Sequence, residues 1–183
     1  MNIIPSRIDA VAVVETNRIR DHRGAFARLF CENELAAVLG ERHVAQINHS
    51  CTSGPGAVRG MHYQFAPHAE MKMVRCIKGR VWDVAVDLRL GSPTFLQWHA
   101  VELSAENDLM MVIPEGCAHG FQVLEAESEL LYLHTACYAP ASEGGVRHDD
   151  PLIDIRWPMA VTDISDRDRL HPLLDEHFSG VEL

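Results

Sequence analysis

Hydrophobic positions along the chain fall in many short runs with a period of two, the spacing that sends alternate side chains to opposite faces of a β-strand. The clearest is Val81-Trp-Asp-Val-Ala-Val-Asp-Leu88, where Trp82, Val84, Val86 and Leu88 share one face and Asp83 and Asp87 lie on the other. Comparable runs occupy residues 10–15, 56–64, 71–78, 97–103, 109–113, 119–124 and 129–138. Turn residues separate them, at Ser53-Gly-Pro-Gly56, Lys78-Gly79, Gly91-Ser-Pro93, Pro114-Glu-Gly116 and Glu143-Gly-Gly145. Many short strands at this spacing predict a mainly β architecture: a sandwich, a barrel or a jelly roll. Two helical stretches interrupt it. Asn33 is placed to cap a short helix that carries Leu35, Val38 and Leu39 on one face and stops at Gly40. Ser165-Asp-Arg-Asp168 has the form of a capping box and predicts a second helix.

The length of 183 residues fits one domain over 1–183, large enough to bury a sizeable core. No repeat or low-complexity linker divides it. The formal net charge of −10 argues against a nucleic-acid partner, which needs a basic face against phosphates. It leaves room for one anionic ligand held by a few local arginines. No stretch approaches the apolar length of a membrane span, and the N-terminus carries no signal-peptide pattern, so no membrane partner is expected. The five cysteines (31, 51, 76, 117 and 137) are odd in number and lack a Cys-x-x-Cys pair. Reduced thiols in a cytoplasmic protein account for them better than a disulfide framework.

Residues 114–119 read Pro-Glu-Gly-Cys-Ala-His, the Pro-x-Gly-x-x-His turn of the second cupin motif. In metal cupins that histidine joins a His-x-His pair from an earlier strand. Here the earlier strand reads Arg59-Gly-Met-His-Tyr-Gln64, with Gln64 in place of a second histidine and Lys72 following. A divalent ion wants three or four ligands and no ammonium among them, so no metal is expected. His119 either contributes to a site or satisfies a turn hydrogen bond. By alternation His62 and Gln64 point to one side, and Met61 and Tyr63 to the other. Arg59 falls on the face opposite His62 unless Gly60 bends the strand. Lys72 shares a face with Val74 and Cys76, a costly place for an ammonium unless an anion meets it. Tyr132, on another core-like strand, and Asp168, in the capping box, each have plain structural readings as well.

Taken together, in chain order, these residues resemble the dTDP-4-dehydrorhamnose 3,5-epimerases. The matching blocks are Asp21-His-Arg-Gly24, Gln46-Ile-Asn-His-Ser50, Val58-Arg-Gly-Met-His-Tyr-Gln64, Lys72-Met-Val-Arg75, 81–89, Ser92-Pro-Thr-Phe95, Leu103-Ser-Ala-Glu-Asn107, 113–121, Tyr132, Tyr138, Ile155-Arg-Trp-Pro158 and Ser165-Asp-Arg-Asp168. They span nearly the whole chain, from about residue 5 to residue 175. The resemblance implies an all-β (mainly) cupin fold, a double-stranded β-helix jelly roll with short peripheral helices, assembled as a homodimer. It implies a nucleotide-sugar substrate and no cofactor. His62 would be the base, paired with Asp168. Tyr132 would be the acid, and Lys72 would sit beside the sugar's ketone oxygen. Arg23 and Arg59 would hold the diphosphate, and Gln46, Asn48, His119, Tyr138 and Glu143 would border the nucleotide sugar. Phe26, Arg28 and Arg167 complete the expected binding set.

The reaction explains these residue types. In a 4-keto sugar the C–H bonds at C3 and C5 are both α to the carbonyl. Inverting either needs a base, a cation or donor at the carbonyl oxygen, and an acid on the opposite face. One position departs from the family pattern: Arg23-Gly-Ala-Phe-Ala-Arg28 has an arginine where a glutamate is usual. Such a glutamate can accept the N3–H of thymine, whereas a guanidinium only donates. Arg28 therefore reaches a phosphate, faces a different base, or turns to solvent. Three alternatives remain: inversion at one carbon only on a CDP- or GDP-linked sugar, a metal-dependent cupin oxygenase, and a non-catalytic sugar-nucleotide binder.

Overall fold

In a computed structural model describing residues 1–183, the chain forms thirteen strands and two short α-helices. In order these are β1 (Asn2–Pro5), β2 (Ala12–Glu15), β3 (Arg18–Asp21), β4 (Gly24–Ala27), α1 (Glu32–Leu39), β5 (Gln46–Thr52), β6 (Val58–Gln64) and β7 (Lys72–Lys78). They continue with β8 (Arg80–Asp87), β9 (Trp98–Ser104), β10 (Leu109–Ile113), β11 (Cys117–Val123), β12 (Ser128–His134), β13 (Glu143–Gly145) and α2 (Asp166–Arg169). A six-stranded sheet in the order β1-β2-β10-β7-β12-β5 packs on a five-stranded sheet in the order β13-β6-β11-β8-β9. This is the expected jelly roll. No helix is long and apolar enough to cross a membrane.

Three hydrophobic layers hold it together. Between the sheets lie Val74, Cys76, Val81, Ala85, Met111, Phe121 and Leu130. The outer face of the five-stranded sheet buries Met61, Tyr63, Val84, Val86 and Leu88 under Val146, Ile153, Ile155 and Val181. The outer face of the six-stranded sheet buries Met73, Met110, Val112 and Leu133 under Leu35 and Leu39 of α1. Both faces of the central strands are therefore dry, which is why Leu109-Met-Met-Val-Ile113 reads as a continuous apolar run instead of an alternating one.

The helices correct two details. Cys31, without a side-chain cap bond, precedes α1 in place of Asn33, and Glu32 and Glu34 in the first turn complement the helix dipole. Gly40 ends it at φ 59° as expected. Ser165 Oγ accepts from the Asp168 N–H at 3.1 Å, as a capping residue should. The reciprocal half of the box is not made, because the Asp168 carboxylate is directed into the fold, where Gly60 N donates to it at 3.1 Å. The run 129–138 leaves the sheet after His134. The β3–β4 hairpin is a separate two-stranded sheet that period counting does not reveal, since nearly all of its residues are exposed.

Gly60 supplies the bend that Arg59 needs. His119 pairs with His62, yet Phe121 pairs with Arg59, so β6 carries one extra residue opposite β11. Gly60 sits there at φ +125°, and a Cβ on it would lie 2.5 Å from Gly120 Cα. The bulge brings Arg59 round to the face of His62. Gly60→Ala is expected to cost about 2–5 kcal/mol, from strain and overpacking together. Urea unfolding would read the loss, and a wild-type midpoint would show that the bulge tolerates a side chain.

Candidate active site

The inter-sheet space opens at one end into a cavity of about 880 Å³. Ala57 and Phe121 belong both to the inner core and to its wall. One wall is β6 and β11, the other β5, β7 and β12, so strand alternation decides which side chains look in. On β6 these are His62 and Gln64, joined by Arg59 through the bulge, on β7 Lys72, on β12 Tyr132 and His134, and on β5 Asn48 and Ser50.

His62 Nε2 lies 2.7 Å from Asp168 Oδ1. The carboxylate side chain is only 4 % exposed, against 23 % for the imidazole. A carboxylate can only accept, so Nε2 carries the proton and Nδ1 keeps the lone pair. Burial by itself would raise the Asp168 pKa. The His62 bond and charge, with Gly60 N–H and Ser165, overcome it and hold the carboxyl well below the usual range. Arg167 places a guanidinium nitrogen 3.1 Å from the same His62 nitrogen. This is a close approach of two donors rather than a hydrogen bond, since Nε2 gives its proton to the nearer carboxylate. Another guanidinium nitrogen lies 3.4 Å from Asp168. His171 completes a group of three possible metal ligands, His62, Asp168 and His171, within 4.8 Å of one another. The fixed positive charge of Arg167 beside two of them opposes a divalent ion there.

Across the cavity, Tyr132 OH is 2.9 Å from Ser50 Oγ. Burial pushes the phenol pKa up, and the Ser50 bond only partly offsets it, so Tyr132 keeps its proton at neutral pH. Lys72 Nζ lies 3.1 Å from the His62 carbonyl oxygen and 3.3 Å from Glu70 Oε1. Burial lowers the Lys72 pKa and Glu70 works against it. His119 meets no turn group: its Nε2 bonds Asp83 Oδ1 at 2.8 Å, inside the fold. At the mouth, Gln46 Oε1 accepts from Tyr138 N at 2.8 Å, and Glu143 takes both Tyr138 OH and Arg167 at 2.9 Å. Arg59 donates to Thr52 Oγ1 at 2.8 Å from the β6 wall.

Comparison with known proteins shows the family. The dTDP-4-dehydrorhamnose 3,5-epimerase family profile matches residues 5–176. This chain belongs to that family. It is 43% identical over 169 residues to the dTDP-4-dehydrorhamnose 3,5-epimerase of Shigella flexneri, covering 92% of this chain and 93% of that one. The structure of a dTDP-6-deoxy-D-glucose-3,5-epimerase from Legionella pneumophila in complex with dTDP-4-keto-L-rhamnose superposes with a TM-score of 0.88 at 40% identity, covering 94% and 92% of the two chains. A 3'-monoepimerase from Streptomyces bikiniensis in complex with dTDP-quinovose superposes at 0.86 with 35% identity, covering 93% and 86%.

For a member of the epimerase family, the sequence-predicted residues divide in two. His62, Lys72, Arg59, Asn48, His119, Tyr132, Tyr138, Glu143, Arg167 and Asp168 line one cavity, and Gln46 stands at its rim. Arg23, Phe26 and Arg28 do not join them within one chain. Arg23 and Phe26 lie on the β3–β4 hairpin beside a separate shallow pocket, with Arg23 paired to Asp21. Arg28 is paired to Glu34 on α1. Motif reading passed over Glu70, His134, Asp83, Ser50 and His171. Period-two counting from the recognised residues reaches three of them, since Ser50 is two after Asn48, Glu70 two before Lys72 and His134 two after Tyr132.

Proposed function

We propose that this protein inverts C3 and C5 of a nucleoside-diphosphate 4-keto-6-deoxyhexose, converting dTDP-4-dehydro-6-deoxyglucose to dTDP-4-dehydrorhamnose. The observation that carries the reading is that His62–Asp168 and Tyr132 face one cavity from opposite sheets, with Lys72 between them. His62 takes the proton α to the ketone through Nδ1, and Asp168 stabilises the imidazolium that results. Lys72 donates to the oxygen as it becomes an enolate. Tyr132 returns a proton from the other face, which inverts the carbon. Nothing in this route calls for a metal or redox cofactor. Arg59 takes the diphosphate, while Gln46, Asn48, His119, Tyr138, Glu143 and Arg167 border the nucleotide sugar.

Arg23, Phe26 and Arg28 act from a second copy. The hairpin stands away from its own cavity with Ile19 68% and Phe26 67% exposed, an apolar tip that a homodimer would bury. Arg28 leaves thymine N3–H without the family's usual acceptor, so the base is the least constrained part of the substrate. A cytoplasmic enzyme fits five free thiols.

Incubation with dTDP-4-keto-6-deoxyglucose in D₂O, followed by proton NMR, tests the reading. Loss of both the C3 and C5 signals with a new reduced sugar is expected. Exchange at one carbon alone would make the protein a mono-epimerase, and no exchange with any dTDP-, CDP- or GDP-linked keto sugar would overturn the activity.

A further inference from the structure

Two residues outside every recognised motif stand behind Lys72. Glu70 and His134 are each 8% exposed, and both line the cavity. A buried carboxylate is costly unless donors surround it. Glu70 has two: Lys72 Nζ at 3.3 Å from Oε1 and His134 Nδ1 at 2.8 Å from Oε2. The other side of His134 fixes its tautomer. Its Nε2 lies 3.4 Å from the Asn48 amide nitrogen, which only donates, so Nε2 holds the lone pair and Nδ1 the proton.

The result is a directional chain. Asn48 donates to His134, His134 to Glu70, and Lys72 both to Glu70 and to the His62 carbonyl oxygen at 3.1 Å. An ammonium has three N–H groups. Two are engaged, and the third is left for whatever fills the cavity. The strands hold this arrangement in register, because Lys72 and His134 are direct cross-strand partners. The His134 ring also stacks on Tyr132 at 6.1 Å between centroids.

We propose that Glu70 and His134 are positioning residues for the epimerisation: Glu70 keeps Lys72 charged and His134 locks Glu70, so that one Lys72 N–H is presented to the ketone oxygen. Burial favours a neutral amine, which would be a poor donor to a developing enolate. The anionic groups acting on Lys72 are Glu70 and, further off, Glu143. The imidazoles of His62 and His134 flank it without opposing charge while neutral. His134 also holds the second oxygen of Glu70, which stops that carboxylate from taking up two of the ammonium protons. This inference rests on Lys72 serving the ketone oxygen as described above.

The test compares Glu70→Gln, His134→Phe, His134→Asn and Lys72→Met in the full chain, using dTDP-4-keto-6-deoxyglucose from neutral to alkaline pH, with dTDP affinity and thermal unfolding as controls. Glu70→Gln is expected to lower kcat about 10–100-fold with KM changed less than about threefold. Its alkaline limb should move to lower pH, since losing the nearby negative charge makes the ammonium easier to deprotonate. His134→Asn keeps an N–H near the Nδ1 position and should retain kcat within about threefold, whereas His134→Phe keeps the ring but not the donor and should lose about tenfold. If Glu70→Gln does not fold, the His134 pair decides. With Lys72→Met inactive, an unchanged kcat and unmoved alkaline limb in Glu70→Gln, or equal activity of the two His134 variants, overturns the positioning role and leaves that of Lys72 standing. Full activity in Lys72→Met would instead remove the reading on which the proposal rests.

Discussion

His62→Ala is expected to remove exchange of the C3 and C5 protons almost entirely, with kcat lower by about 10²–10⁴-fold, the usual worth of a positioned general base. Strand parity places the imidazole. His62 and Gln64 face the cavity while Met61 and Tyr63 anchor the outer layer, so the imidazole is held by a strand whose other face cannot shift. Asp168 holds Nε2, which leaves the lone pair on Nδ1. The other imidazoles lining the cavity are engaged elsewhere: His49 is bound to Glu129, His119 to Asp83 and His134 to Glu70. The variant should still fold, because Asp168 keeps Gly60 N–H, Ser165 and the Arg167 guanidinium around its buried charge. Deuterium uptake into the keto sugar is the measurement, and a wild-type exchange rate would rule His62 out as the base.

Tyr132→Phe should separate exchange from inversion. Tyr132 stands on β12 of the six-stranded sheet and His62 on β6 of the five-stranded sheet, so the two approach a bound sugar from opposite walls. Burial keeps the phenol protonated, as a proton donor requires. Without the hydroxyl, His62 still removes and returns protons on its own face. Wash-in of deuterium should therefore stay within about threefold of wild type, while formation of the inverted sugar falls about 10²–10⁴-fold. The fold should tolerate the change, since Phe keeps the ring packed against His119 and His134 and loses one hydrogen bond, to Ser50, worth about 1 kcal/mol. Equal loss of exchange and inversion would overturn this division between base and acid.

The amino-acid sequence determined the fold class and most of the inward-facing residues by itself, because alternation along a strand is fixed by covalent geometry. Val81–Leu88, the parity of His62 and Gln64 and the family blocks all follow from it. It also required a bend at Gly60 for Arg59, and the bulge between β6 and β11 supplies that bend. Partnerships belong to the tertiary structure. Asp168 stands 106 residues from His62 and has the local look of a helix cap, and only the packing of α2 against β6 turns its carboxylate to the imidazole. Glu70 and His134 are ordinary residues in the sequence, and they become a pair only because β7 and β12 are neighbours in register. The hairpin carrying Arg23 and Phe26 buries almost nothing in its own chain, so no hydrophobic pattern marks it. Local periodicity is written residue by residue, whereas strand order and register arise from the burial of both faces of two sheets at once, a sum over contacts distant in the chain.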